Sequence, residues 1–99
     1  MRHRAKIDAN QTSIVLALRA AGCAVQSLAT IGNGCPDILV GRCGVNYLIE
    51  IKDGNKTPSQ RKLTSDEEKW HLYWKQFGQV DTAESVEQAF EIVGLKEKL

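Results

Sequence analysis

Three charged residues interrupt otherwise apolar runs near the middle of this chain. Asp37 follows Pro36 and opens Asp37-Ile38-Leu39-Val40; after a gap of twelve residues, Glu50 and Lys52 flank Ile51 in Tyr47-Leu48-Ile49-Glu50-Ile51-Lys52. Both runs have the β-branched and aromatic character of strands, and Gly41 to Asn46 between them is turn-forming, so the pair predicts an antiparallel hairpin. Side chains alternate along a strand. Glu50 and Lys52 therefore share one face, while Ile49 and Ile51 take the other and can enter a core. Asp37 begins the partner strand, which brings its carboxylate near Glu50 across the ladder.

Two facing carboxylates repel and call for a compensating cation. A divalent ion is the natural candidate, because Mg²⁺ takes one or two protein carboxylates, several waters and substrate phosphate oxygens. Asp37 and Glu50 are the expected ligands, with the Ile51 backbone carbonyl as a further oxygen. Lys52, about 6.6 Å along the strand from Glu50, can stabilise charge developing on a phosphate or orient an attacking water. That is the equipment of phosphodiester hydrolysis. The bland reading of the same three residues is a solvated strand face.

The rest of the chain must position this hairpin. Its 99 residues, 42% hydrophobic and 25% charged with two prolines, fit one globular domain preceded by a basic arm at residues 1–6. Thirteen basic against twelve acidic side chains exclude a polycation that holds nucleic acid by bulk charge, so any such contact needs a local patch. Two patches qualify. Lys56, Arg61 and Lys62 follow the third strand, with Thr57, Ser59 and Gln60 able to bond phosphates; Arg2, His3, Arg4 and Lys6 can form a second, flexible contact. The longest apolar stretch, Ile14 to Leu18, falls far short of the roughly 20 residues of a membrane span. No signal-peptide pattern follows the basic N-terminus, so a cytosolic protein without a membrane partner is expected. Cys23, Cys35 and Cys43 lack zinc or disulfide-scaffold spacing and read as reduced core or loop thiols.

The elements follow from periodicity and punctuation. Asp8 to Ala21 predicts a helix with Ile14, Val15, Leu18 and Ala21 on one face, Asp8 as its cap and Gly22 as its stop. A strand is expected within Cys23 to Thr30, before the Gly32-Asn33-Gly34 loop, whose glycines suit a tight approach into the Asp37 strand. After the hairpin, Ser65 and Glu68 read as a capping box for a helix ending at Gly78, with Trp70, Tyr73, Trp74 and Phe77 as an apolar face for core or dimer packing. His71 beside them reads as a surface or hydrogen-bonding residue. A brief strand at Gln79 to Asp81 leads to a third helix, with Ser85 and Gln88 at its start and Val86, Ala89, Phe90 and Val93 as its buried stripe. The order is αβββαβα, a mixed α/β layer fold.

Pro36-Asp37, the twelve-residue gap and Glu50-Ile51-Lys52 resemble the signature of the PD-(D/E)xK nuclease superfamily. With Asp8-Ala9-Asn10, Gly34-Cys35-Pro36-Asp37, Tyr47 through Gly54 and Leu63-Thr64 through Trp70-His71, the chain looks like a small stand-alone VRR-NUC domain of phage type, over about Lys6 to Gly94. The resemblance implies a restriction-endonuclease-like αβββαβ core with a mixed central sheet flanked by helices, plus a C-terminal helix. It implies an Mg²⁺- or Mn²⁺-dependent DNA endonuclease, often a homodimer like Holliday-junction resolvases and selective for branched DNA. Asp37, Glu50 and Lys52 are then its catalytic residues and Lys56, Arg61, Lys62, Arg4 and Lys6 its DNA contacts. Two positions depart from the pattern. Gln11 stands where the first helix usually brings a glutamate to the metal, and is a weaker ligand. Glu68 stands where a glutamine is common; it either restores negative charge or faces solvent. The Gln11 departure motivates the alternative of a nucleic-acid-binding module that keeps the nuclease fold with little or no turnover.

Overall fold

The computed structural model describes residues 9–95, in the order α1 (Ala9–Ala20), β1 (Ala24–Ser27), β2 (Ile38–Arg42), β3 (Val45–Ile51), α2 (Ser65–Trp74), β4 (Val80–Ala83) and α3 (Val86–Ile92). The four strands form one mixed sheet in the order β1-β2-β3-β4, antiparallel except for the parallel β3/β4 pair. The expected element order is thus the observed one. Asp8 and the basic arm, with Arg4 and Lys6, lie outside the described residues.

The hairpin is tighter than its sequence indicates. Cys43 and Gly44 form the whole connection, both at positive φ (51° and 80°), the combination that matches the twist of two paired strands. Gly41 and Asn46, expected in the turn, instead pair within the ladder. Ile38 pairs with Ile49 and Val40 with Tyr47, and opposed residues share a face, so Ile38, Val40, Ile49 and Ile51 line one side of the sheet. Ile14 and Leu18 of α1, Ala89 of α3 and Val93 at its C-terminal cap close over it, joined by Ala83 of β4. Each fully buried Leu or Ile contributes about 1.5–3 kcal/mol, which makes this side the anchor of the fold.

The helix ends explain where the chain turns. Gly22, at φ 95°, lets its own N–H reach the Arg19 carbonyl and that of Cys23 reach Leu18, both at 3.0 Å. Ala21, expected on the buried face, falls in this exposed turn. In α3 the Ser85 hydroxyl accepts from the Gln88 N–H at 3.1 Å, while the Gln88 side chain accepts from Glu84 instead of Ser85. The strand expected at Gln79 to Asp81 runs two residues further, to Ala83, because β4 pairs with β3 as far as Ile51.

The opposite face of the sheet carries Leu39, Leu48 and Val80 together with Glu50, and α2 meets it by its first turn. Here the sequence reading needs three corrections. The capping box is Thr64 with Glu67, one residue earlier than Ser65 with Glu68. The aromatic stripe is not core: Tyr73 is 62% and Phe77 71% exposed, and Trp74 stacks on Trp70 along the helix flank at 4.7 Å. The inward side of α2 instead carries Glu67 and His71, one turn apart, and His71 is 4% exposed where a surface or hydrogen-bonding residue was expected.

Gly34 sets how closely the Asp37 loop meets α2. It has φ +83°, and a Cβ there would lie 2.3 Å from the Asp66 carbonyl oxygen. Gly34→Ala is expected to lower stability by about 2 kcal/mol or more, through backbone strain and the forced retreat of the first turn of α2. Urea unfolding should show this as a lower midpoint with an unchanged slope; an unaltered midpoint would mean that the loop relaxes freely. Among the described residues, no helix is long and apolar enough to cross a membrane.

Candidate active site

Continuing the β2/β3 register one step past Ile38 and Ile49 places Asp37 opposite Glu50, on the same face. Buried Pro36 delivers Asp37 with no N–H of its own to satisfy. The Asp37 Oδ2 then accepts a 2.7 Å hydrogen bond from the Ile51 N–H, which fixes the carboxylate at the end of the ladder. Glu50 is 2% exposed, and its Oε1 has no hydrogen-bond partner among the described residues. Its Oε2 lies 3.8 Å from the Lys52 Nζ, and that Nζ donates to the Glu67 Oε1 at 2.8 Å.

The main chain of Lys52 is held from two sides. Its N–H donates to the Ala83 carbonyl at 2.9 Å, and its carbonyl accepts from the Asn10 side chain at 2.7 Å. Asn10 also donates to the Glu84 carbonyl at 3.3 Å, tying α1 to the ends of both β3 and β4. The lysine stem therefore leaves a rigid base, with only its methylenes to place the ammonium.

Burial dominates the electrostatics. It pushes Glu50 up to about 9, aided by the charge of Asp37 beside it. Without a cation, Glu50 thus carries a proton at neutral pH. Burial also opposes charge on Lys52 and Glu67, yet their hydrogen bond and mutual attraction win: Lys52 is raised and Glu67 lowered, so both stay ionised. Cys35 is raised by burial and then by the charges of Glu50 and Asp37, which places a neutral thiol near the acidic pair. Burial lowers His71, whose Nε2 has no partner among the described residues.

The remaining candidates are distributed around this centre. Gln11 is buried in the first turn of α1, beside a shallow cleft with Thr12, Val15 and Ser27; neither the Ile51 to Asp37 nor the Lys52 to Glu67 hydrogen bond involves its amide. Arg61 pairs with Glu84 at 3.0 Å, whereas Lys56 and Lys62 are exposed. Thr57, Ser59 and Gln60 bond one another around a 3₁₀ turn at Pro58–Gln60. Cys23, Cys35 and Cys43 are all free thiols.

Sequence reasoning missed Glu67 and Asn10. For Glu67 the signal was present, since Thr64-x-x-Glu67 is as good a capping box as Ser65-x-x-Glu68; the acid at the site is Glu67, and Glu68 faces solvent. Asn10 stands in the Asp8-Ala9-Asn10 segment of the resemblance, but its role has no sequence signal, because its partners are backbone carbonyls 42 and 74 residues away.

An acidic pair and a lysine on the central hairpin of an αβββαβ layer define a restriction-endonuclease-like α/β fold. No family model matches the sequence, and no curated protein does. A solved structure described as a VRR_NUC domain is similar to it, with a TM-score of 0.62 and 26% sequence identity over 85% of this chain and 89% of that one. The fold is VRR_NUC nuclease-like.

Proposed function

We propose that the protein is a deoxyribonuclease that hydrolyses phosphodiester bonds with the help of Mg²⁺ or Mn²⁺. The observation that carries the reading is the pairing of buried Glu50 with half-buried Asp37, with one Glu50 oxygen unsatisfied and a lysine ammonium alongside, on a nuclease-like fold.

The donor chemistry fits a hard divalent cation. No cluster of three or more His, Cys, Asp or Glu suited to a metal occurs among the described residues. Two carboxylates and the Ile51 carbonyl form a sparse oxygen set, of the kind suited to an ion that keeps several waters. Asp37, Glu50 and Ile51 would hold it, and Gln11 would contribute at most a neutral amide. When bound, the cation would polarise a phosphate oxygen and acidify a water. Lys52 holds its charge toward the same space, where it can stabilise the phosphate as negative charge develops. Lys56 and Lys62 are the available backbone contacts, with Arg61 joining only by releasing Glu84. Branched DNA is the proposed substrate, met in the cytosol by a homodimer.

A cleavage assay on four-way, flapped, linear and plasmid DNA, titrated with Mg²⁺ and Mn²⁺, tests the proposal. Metal-dependent cleavage that is lost in chelator is expected, and Asp37→Asn should weaken Mn²⁺ binding by about tenfold or more in calorimetry. DNA binding with no cleavage under any metal would replace this reading with the non-cleaving module. The buried Gln11 amide, where the resemblance calls for an acid, is what favours that second reading.

A further inference from the structure

The Glu67 Oε1 accepts two hydrogen bonds, from the Lys52 Nζ and from the Thr64 N–H, each at 2.8 Å. One oxygen thus closes the cap of α2 and holds the site lysine. The Thr64 hydroxyl completes the cap separately, accepting from the Glu67 N–H at 3.2 Å. An ordinary capping box satisfies only its own helix end; this one reaches across to a different element of the fold.

We infer that Glu67 is a positioning residue for Lys52: it draws the ammonium to the α2 side of the Asp37 and Glu50 pair, and the capped first turn of α2 sets where that charge stands. The inference rests on the proposed nuclease reading and adds a residue to it. The geometry supplies the reason. Lys52 has four rotatable stem bonds and a contact of only 3.8 Å with Glu50, so the shorter bond to Glu67 decides its conformation. Glu67 is itself held by the backbone of Thr64, whereas a free surface carboxylate would move with the lysine.

The two jobs of Glu67 separate by substitution. Thr64→Ala removes the hydroxyl half of the cap but keeps the N–H and the lysine contact. Glu67→Ala removes both, and Glu67→Gln keeps a neutral acceptor for each. Three readouts apply: thermal midpoint, single-turnover cleavage with kcat and KM resolved, and the rate at which acetic anhydride modifies Lys52, followed by peptide mass spectrometry. Thr64→Ala and Glu67→Ala should lower the midpoint by similar amounts. Only Glu67→Ala should also lower kcat, by about 30-fold or more with KM little changed, and speed Lys52 acetylation severalfold. Glu67→Gln should recover most of both. Equal kcat and equal acetylation in the Thr64 and Glu67 alanine variants would reduce Glu67 to a helix cap and overturn the inference. If the wild-type protein fails to cleave under any metal, the nuclease reading falls, and the acetylation rates still decide whether Glu67 holds Lys52.

Discussion

Lys52→Ala is expected to lower the rate constant for DNA cleavage by about three orders of magnitude, equivalent to about 4 kcal/mol of transition-state stabilisation. DNA affinity should change little. The effect is specific because the backbone at this position is fixed independently of the side chain, by the Ala83 carbonyl on one side and Asn10 on the other. Truncation removes the charge and leaves β3 in place. It also removes the ion-pair partner of both Glu50 and Glu67, yet the site tolerates the loss: Glu50 holds a proton at neutral pH, and Glu67 keeps the Thr64 N–H. The stability change should therefore be about 1 kcal/mol. Single-turnover cleavage at saturating Mg²⁺, paired with fluorescence anisotropy on the same DNA, separates the two effects. Cleavage within tenfold of wild type would show that the lysine does not act on the phosphate.

The hairpin was legible in the sequence because a period of two leaves no freedom. Once Ile49 and Ile51 enter the core, Glu50 must face the other way, and pairing of Ile38 with Ile49 brings Asp37 opposite. Helix α2 was less legible, because a helical period reveals an apolar side without saying what it meets. Trp70, Tyr73, Trp74 and Phe77 form a regular stripe, but the side of α2 turned inward is given to Glu67 and His71, and Tyr73 and Phe77 stay outside. A helix whose buried side serves a polar site reads backwards under the rule that apolar faces go inside. Its start was ambiguous for a simpler reason. Thr64 and Ser65 are both good caps, each with a glutamate three residues on, and a shift of one position exchanges the acid at the site for one in solvent. The hairpin turn was overestimated because Cys43 gives no hint of accepting positive φ, so Gly41 and Asn46 looked like turn residues themselves.

Glu50→Gln should make the metal-free protein more stable and the enzyme inactive. Glu50 titrates near 4.5 in an unfolded chain and near 9 in the folded one, chiefly because it is buried and then because Asp37 lies beside it. The folded state therefore binds this proton more tightly, so Glu50 favours folding fully below 4.5, and the benefit drains away as the pH rises toward 9. Other shifted groups in the cluster act elsewhere: lowered His71 matters below its usual 6.5, lowered Glu67 below 4.5, raised Cys35 toward and above 9.0 and raised Lys52 above 10.5. From about pH 7 to 9, Glu50 governs the slope among them. Glutamine has the shape of the protonated acid and never ionises. In chelator at pH 8.5, Glu50→Gln should gain about 2 kcal/mol over wild type, a value reduced from the full shift by water reaching the ionised group. At pH 5 the two proteins should be nearly equal. The same amide is a poor ligand for Mg²⁺, so cleavage should be lost where stability is gained, the trade expected when a fold buries an acid beside a second one to serve a reaction. Urea unfolding at the two pH values checks the first half and plasmid nicking the second. A variant less stable than wild type at pH 8.5 would show that Glu50 is already ionised there without a metal.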